Sequence, residues 1–488
     1  MPASAGYGRI PAFIALAVLL YFLLFFGLDG VGLLSVDEPR YAAIGREMAY
    51  SGDFITPHLW GSPWFEKPPL LYWTIGLATW AGLDDEIAAR LPVAMLSAAF
   101  LLFLYRVQRR EFGAGAAACA TMLLACSAGW VVYSQFAVTD LPMAACFSAA
   151  MLLSLPWAGG GQKTGLRRAG LLLGLAVLAK GLVPLVLALP VVAFGWRRWR
   201  DLAAAAGMIL LVATPWYWLC YRANGKQFLE EFFWRHHVER FATDSLLHVQ
   251  PFWFYVPILA AGLFPWTPVL PLLSRRELFR DRRILFLAVT AAWGFMFFSL
   301  SQNKLPGYLL PLLPLVAVLL GAALPASKKA VLALIAAAAC LAAIPVLAGV
   351  LPAALANGLS RAVMPPLSLS WLAWALVPAL AVWIAGRRFG TIGAVCALFA
   401  ATVIGVSYLK MRVYPVLDEQ VSARGLWRGI ESRAGQVCLG EMHRSWLYGL
   451  NYYAIQPLPD CDRAERPLQL QSINGKRPEL TDKKPFSP

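Results

Sequence analysis

The chain has 488 residues, 59% of them apolar and 14% charged, with a mean hydropathy of +0.61. A soluble protein carries about a quarter of its residues as Asp, Glu, Lys or Arg. Ordinary cytosolic, secreted, fibrous and disordered classes are therefore excluded. The recurrent apolar runs of about 20 residues, each able to cross a ~30 Å hydrocarbon layer, imply an all-α polytopic membrane protein. The net charge of +15 does not imply nucleic-acid binding, because the basic residues fall in short clusters between apolar runs, where the positive-inside rule puts them.

The first apolar run, Ile10 to Leu28, follows Arg9 and lacks a small-residue cleavage pattern, which predicts an uncleaved first span. Basic clusters then recur at Arg106-Arg109-Arg110, Lys163-Arg167-Arg168, Arg197-Arg198-Arg200, Arg275 to Arg283, Lys328-Lys329 and Arg387-Arg388. If each is cytoplasmic, an even number of crossings separates every pair. Spans near 88–105 and 114–133 satisfy this, as does a compact hairpin within 169–196 that turns near Lys180-Gly181. The expected total is about thirteen spans, with the N-terminus cytoplasmic. Outer segments then fall at 29–87, 134–139, 222–253, 301–307 and 353–368. Residues 1–409 form a membrane domain, whose outer loop 29–87 carries amphipathic helices, and 410–488 a small mixed extracytoplasmic domain with a disordered tail from Asn474. Gln436-Val437-Cys438-Leu439 reads as a short strand. Cys438 and Cys461 share this domain, where an oxidising compartment allows them to pair without requiring it.

Carboxylates and unusual polar motifs lie almost entirely on the expected outer side, and no P-loop or dinucleotide fingerprint occurs. Ser35-Val36-Asp37-Glu38-Pro39-Arg40-Tyr41 opens a helix that Gly52 closes, with Asp37 as its expected N-cap. Arg40 and Tyr41 follow three and four residues on, so a carboxylate, a cation and a phenol share one face. In Trp64-Phe65-Glu66-Lys67-Pro68-Pro69 the prolines force an extended backbone, which is expected to send Glu66 and Lys67 to different sides. The neighbouring Trp60, Tyr72 and Trp73 suit an interfacial belt or a lipid-tail groove. Asp140 starts a span at its outer end, and Lys180 sits near the hairpin turn; ionisable groups at such depth are usually paired or functional. His236-His237 with Glu239 and Arg240, and the proline-broken re-entry Ser301-Gln302-Asn303-Lys304-Leu305-Pro306-Gly307-Tyr308, complete the outer set. The cations Lys67, Arg240, Lys304 and Lys180 suit a lipid phosphate, and the carboxylates Asp37, Glu66 and Asp140 suit a general base or a partner for charge on a sugar ring.

These residues resemble a known family. Asp37-Glu38-Pro39-Arg40-Tyr41, Glu66-Lys67-Pro68-Pro69, Thr139-Asp140, Leu178-Ala179-Lys180-Gly181, His237-x-x-Arg240-Phe241 and Lys304-Leu305-Pro306-Gly307-Tyr308 are similar, in order, to motifs of the bacterial aminoarabinose lipid A transferases. Those stand beside the protein O-mannosyltransferases in the GT-C class of glycosyltransferases. The resemblance implies transfer of a sugar, with inversion, from a polyprenyl phosphate donor to lipid A, another glycan or a protein, on the outer face of a bacterial inner membrane. It implies catalytic roles for Asp37 and Asp140, and lipid-phosphate binding by Lys67, Arg240, Tyr308 and Lys180. Glu38, Arg40, Tyr41 and Lys304 would support them. No cofactor is required, although Glu66 and His237 match positions that can bind a structural zinc. A protein O-glycosyltransferase is the nearest alternative, and a transporter or flippase for a lipid-linked sugar the alternative of another class. The one-sided polar cluster and the lack of an internal repeat favour the enzyme over the transporter.

Overall fold

The computed structural model describes residues 9–161, 164–232, 234, 250–358, 362–364, 366, 368–472 and 477–482. The chain is overwhelmingly helical because its apolar runs must satisfy their backbone N–H and C=O groups internally in lipid. Among the described residues six helices are long and apolar enough to cross a membrane, or seven if a bent pair, Phe252–Gly262 with Thr267–Ser274, counts as one. The count of about thirteen crossings is thus not reproduced helix by helix. One reason is that adjacent runs fuse: Asp85–Ala125 and Ser370–Gln420 have 41 and 51 residues, each enough for two crossings at 1.5 Å per residue. Each breaks at a glycine with positive φ, Gly113 (86°) and Gly390 (67°), where a side chain would be strained.

The expected compact hairpin is present. Thr164–Lys180 runs up to Gly181, and two short helices, Val183–Leu187 and Leu189–Gly195, lead back. The basic clusters meet at one end of the molecule. Arg283 donates to the Glu111 carboxylate at 3.1 Å and to its backbone carbonyl at 2.9 Å, Arg282 to the Phe194 carbonyl at 3.3 Å, and Arg275 to the Ala326 carbonyl. Asp85 begins the helix that carries Glu111, so the opposite end lies roughly 40 Å away along its axis.

At that opposite end the expected outer loop, residues 29–87, folds into the helices Asp37–Ser51 and Leu70–Trp80, with a two-stranded hairpin, His58–Leu59 against Ser62–Pro63, between them. The C-terminal stretch packs over this loop. The helix containing Lys410 continues to Gln420, past the expected boundary at 409/410. Beyond it, the helices Ala423–Ile430 and Arg444–Tyr453 cover a sheet in which Val437–Leu439 runs parallel to Leu468–Gln471, itself antiparallel to Glu479–Asp482. The last strand lies within the tail expected to be disordered; pairing with Leu468–Gln471 orders it. Cys438 and Cys461 form a disulfide across this small core.

Buried polar ties weld these parts together. Arg90, inside the helix Asp85–Ala125, is fully buried, and all five of its N–H groups are used. They reach Glu38 Oε1 (2.7 Å) and Oε2 (2.8 Å) and the carbonyls of Leu28 (2.7 Å), Val31 (2.6 Å) and Gly32 (3.0 Å). Lys410 donates to the carbonyls of Phe22, Leu23 and Phe26 at 2.9–3.1 Å, which satisfies the open C-terminal end of the first helix, Arg9–Leu24. Arg90→Ala, which leaves the Glu38 carboxylate buried without its cation, is expected to cost about 3–5 kcal/mol. Thermal unfolding of detergent-purified protein should show the loss, and the pair Glu38→Leu/Arg90→Leu should recover only the part due to the unpaired carboxylate, since the carbonyls of Leu28, Val31 and Gly32 and the N–H groups of Leu34 and Ala137 stay without these partners.

Candidate functional site

A cavity of about 1330 Å³ opens between the first outer loop, the membrane helices and the C-terminal unit. Asp37, Tyr41, Glu66, Lys67, Asp140, Lys180 and Tyr308 all line it, so residues spread over more than half the chain converge.

Asp37 begins its helix but does not cap it through its side chain; Val36 occupies the N-cap position with no side-chain bond. Ser35, at a positive φ of 65°, instead accepts the Asp37 N–H at 3.3 Å, a strained turn of the kind that collects at functional sites. The freed carboxylate pairs with Arg40 one turn on. Arg40 also reaches Glu66 Oε2 at 2.9 Å, and Lys67 donates to Glu66 Oε1 at 3.1 Å. Glu66 and Lys67 therefore face each other, not opposite sides as the extended backbone suggested. The result is an alternating ladder, Asp37–Arg40–Glu66–Lys67. Arg40 is sandwiched by aromatic faces, Tyr41 and Trp64 at 5.3 Å and Tyr448 of the C-terminal unit at 5.7 Å. Burial alone disfavours its charge, but Glu66, Tyr41 and Asp37 outweigh that and hold the guanidinium above its ordinary value. Burial, reinforced by Asp37 and Glu66, pushes the Tyr41 phenol well up, so it stays a hydroxyl. The Asp37 side chain is the exposed end of the ladder at 48%, against 8% for Arg40 and 11% for Glu66. It is the carboxylate a ligand can reach.

Across the cavity Lys180 donates to Asp140 Oδ1 at 2.5 Å and lies 5.1 Å from the Tyr308 ring centroid. Gly307 is required there: a Cβ at that position would stand 2.4 Å from the Tyr133 hydroxyl and 2.6 Å from Asp140 Oδ1. The remaining wall is largely apolar, with Val132, Phe136, Met143, Phe297 and Leu355 among its residues.

Not every expected residue points here. Glu38 is buried against Arg90, and Lys304 donates to the backbone carbonyls of Ser301 and, at 3.0 Å, Gln250. Burial lowers the Lys304 ammonium below its ordinary value; it pins the re-entrant loop and is not among the cavity-lining residues. The aromatics around Glu66 turn inward: Phe65 packs on Phe228, and Tyr72 on Tyr41. His237 and Arg240 lie outside the described residues. Glu66, the other expected metal ligand, has both oxygens in ion pairs. Among the described residues no group of three or more His, Cys, Asp or Glu side chains is placed to hold a metal.

Sequence reasoning missed the roof. Glu419, His443, Trp446 and Arg477 of the C-terminal part line the same cavity, with no local pattern to announce them. It also missed Arg90, which a signal did mark: a lone guanidinium inside an apolar run.

The arrangement defines a helical protein with several helices long and apolar enough to cross a membrane and a charged cavity at one end. The solved structure of ArnT from Cupriavidus metallidurans bound to undecaprenyl phosphate superposes with a TM-score of 0.73 at 24% identity, covering 96% of this chain and 94% of that one. In sequence, the undecaprenyl phosphate-alpha-4-amino-4-deoxy-L-arabinose arabinosyl transferase of Pseudomonas aeruginosa is 34% identical over 316 residues, 61% of this chain and 56% of that protein. The protein of the same name from Edwardsiella ictaluri is 34% identical over 333 residues, 64% and 59% of the two chains. The match thus spans little more than half the length of these relatives. The family model for dolichyl-phosphate-mannose-protein mannosyltransferases matches residues 66–218. Over the matched part, the chain is similar to the aminoarabinose transferases.

Gly307→Ala should overpack the Tyr133–Asp140 contact and cost about 1–3 kcal/mol in thermal unfolding. Combining it with Tyr133→Phe, which removes the hydroxyl in the way, should restore part of that loss.

Proposed function

We propose that this chain is an integral membrane glycosyltransferase. It moves a sugar from an undecaprenyl phosphate donor to lipid A or another envelope acceptor, with inversion, on the outer face of the bacterial inner membrane. The observation that carries the reading is a single cavity in which an exposed carboxylate, Asp37, and two held ammonium groups, Lys67 and Lys180, share a wall with apolar side chains. Such a wall matches a donor made of an anionic headgroup on a hydrocarbon tail. The relatives' names specify that class of donor.

The chemistry follows from the donor's own leaving group. The acceptor oxygen attacks the anomeric carbon on the face away from phosphate. The carbon–oxygen bond to phosphate breaks, and its electron pair stays on the departing lipid phosphate. Lys67, Lys180 and the Tyr308 hydroxyl stabilise that charge, and Arg240 is a further cation that the motif resemblance assigns to it. The ammonium groups of Lys67 and Lys180 are already desolvated and fixed by Glu66 and Asp140, so little reorganisation accompanies the step. If the acceptor is a hydroxyl, Asp37 takes its proton, a contribution of about 10²–10⁴-fold. If it is a phosphate, its oxygen is already nucleophilic and Asp37 orients it. Asp140 holds Lys180 in place.

The same reading places the basic end in the cytoplasm, the cavity and the C-terminal unit outside, and about thirteen crossings between them. Residues 1–409 serve as the membrane enzyme and the remainder as its outer cover.

Asp37→Asn is expected to abolish sugar transfer in a reconstituted assay while the protein still inserts and purifies normally; activity near wild type would remove Asp37 from the mechanism. Lys67→Ala is expected to weaken undecaprenyl phosphate binding about tenfold or more, and an unchanged affinity would overturn its role. A cysteine placed near residue 430 should react with a membrane-impermeant label from outside intact cells; reaction only after lysis would reverse the topology. Mass spectrometry of lipid A, surface glycans and exported proteins, with and without the chain, should reveal one missing sugar and so the acceptor.

A further inference from the structure

The scheme above gives no role to Asn303. Asn303 is 8% exposed and lines the cavity, yet among the described residues neither its Oδ1 nor its Nδ2 has a hydrogen-bond partner. A buried carboxamide with both ends unsatisfied is a standing cost that native structures rarely tolerate without a purpose.

Its placement is not loose. The Asn303 backbone carbonyl accepts the Ser301 hydroxyl at 3.1 Å, Lys304 clamps the loop to the carbonyls of Ser301 and Gln250, and the Tyr255 hydroxyl donates to the Leu305 carbonyl at 3.2 Å. The loop is anchored on both sides of residue 303, and the next helical turn, Pro306–Leu312, carries Gly307 against Asp140 and Tyr308 beside Lys180. The open carboxamide is therefore held near the Asp140–Lys180 pair by backbone and not by its own side-chain contacts.

We propose that Asn303 reads the sugar of the donor, its Nδ2 donating to one ring substituent and its Oδ1 accepting from the neighbouring one. This rests on the donor reading given above and names the part of the donor that Asn303 meets. A phosphate oxygen would satisfy only the NH2 group and would leave Oδ1 facing negative charge. An apolar tail would satisfy neither. Adjacent hydroxyls on a pyranose, or a hydroxyl beside an amine, each offer both a donor and an acceptor and satisfy both ends together. Asn303 is then a specificity-determining residue, because a donor lacking one of those substituents leaves a buried polar atom unpaired.

The test separates sugar from lipid phosphate. Asn303→Ala and Asn303→Asp, purified in detergent, are compared with wild type for binding of sugar-free undecaprenyl phosphate and for kcat/KM with undecaprenyl phosphate-4-amino-4-deoxy-L-arabinose, and with the undecaprenyl phosphate hexoses. Expected is undiminished affinity for the sugar-free lipid in Asn303→Ala, with a drop of about 10- to 100-fold in kcat/KM for the preferred sugar donor and a flattened preference among donors. An equal loss for the sugar-free lipid, or unchanged kcat/KM and selectivity, would overturn the assignment. If wild type itself fails to bind undecaprenyl phosphate, the functional reading falls and this inference with it.

Discussion

Charge placed at a lipid boundary has to be neutralised by charge, because water is scarce there and an uncompensated ion costs several kcal/mol. The outer end of this protein meets that constraint by alternation. Asp37, Arg40, Glu66 and Lys67 form a ladder that ties the start of one outer-loop helix to the start of the next, so neutralisation and positioning are the same act. Aromatic faces from Tyr41, Trp64 and Tyr448 close over the central guanidinium and keep the ladder dry. Asp37, Glu66 and Lys67 line the cavity, while Arg40 is not among its lining residues.

The C-terminal unit is part of this construction and not an appendage. Tyr453 donates to Glu86 at 2.6 Å and accepts the Leu33 N–H at 2.9 Å, while Arg424 bridges Asp418 and Glu86. Arg46 donates to the Tyr452 carbonyl at 2.6 Å and lies over its ring. The ties of Tyr452 and Tyr453 to Leu33, Arg46 and Glu86 join residues 367 to 420 positions apart, and they set the roof of the cavity over its charged floor.

What the sequence revealed and what it hid divide along a physical line. The ionisable residues at membrane depth were legible one by one, because each stands out against an apolar background: Asp37, Asp140, Lys180. So was the hairpin at Lys180-Gly181, since two basic clusters too close for full spans force it. Partners were not legible. Glu66 and Lys67 are adjacent in sequence, and only the turn of the chain toward Arg40 shows that they face each other. Lys304 carries the same charge as Lys67, and only the position of Gln250 shows that it turns into the loop. The strand Glu479–Asp482 has no apolar alternation of its own and gains order from a neighbour ten residues away.

The adjacent pair Asp37-Glu38 shows how these levels connect. Successive residues on a helix point about 100° apart, so if one faces the cavity the other faces the protein. Glu38 takes the inner direction, and both its oxygens are fully used: Arg90 binds each, the Leu34 N–H donates to Oε2 at 2.8 Å and the Ala137 N–H to Oε1 at 3.0 Å. Four bonds fix the rotation of the helix about its axis and thereby aim Asp37 at the cavity. The bond to Ala137 does more, since that residue lies three positions before Asp140 in the segment that leads into the next helix. One buried carboxylate thus sets the positions of both cavity-facing aspartates relative to each other, although it never touches a ligand. The order Asp-Glu is for that reason not interchangeable: exchanging the two would put the longer side chain in the cavity and the shorter one against Arg90, out of reach of the bonds that orient the site.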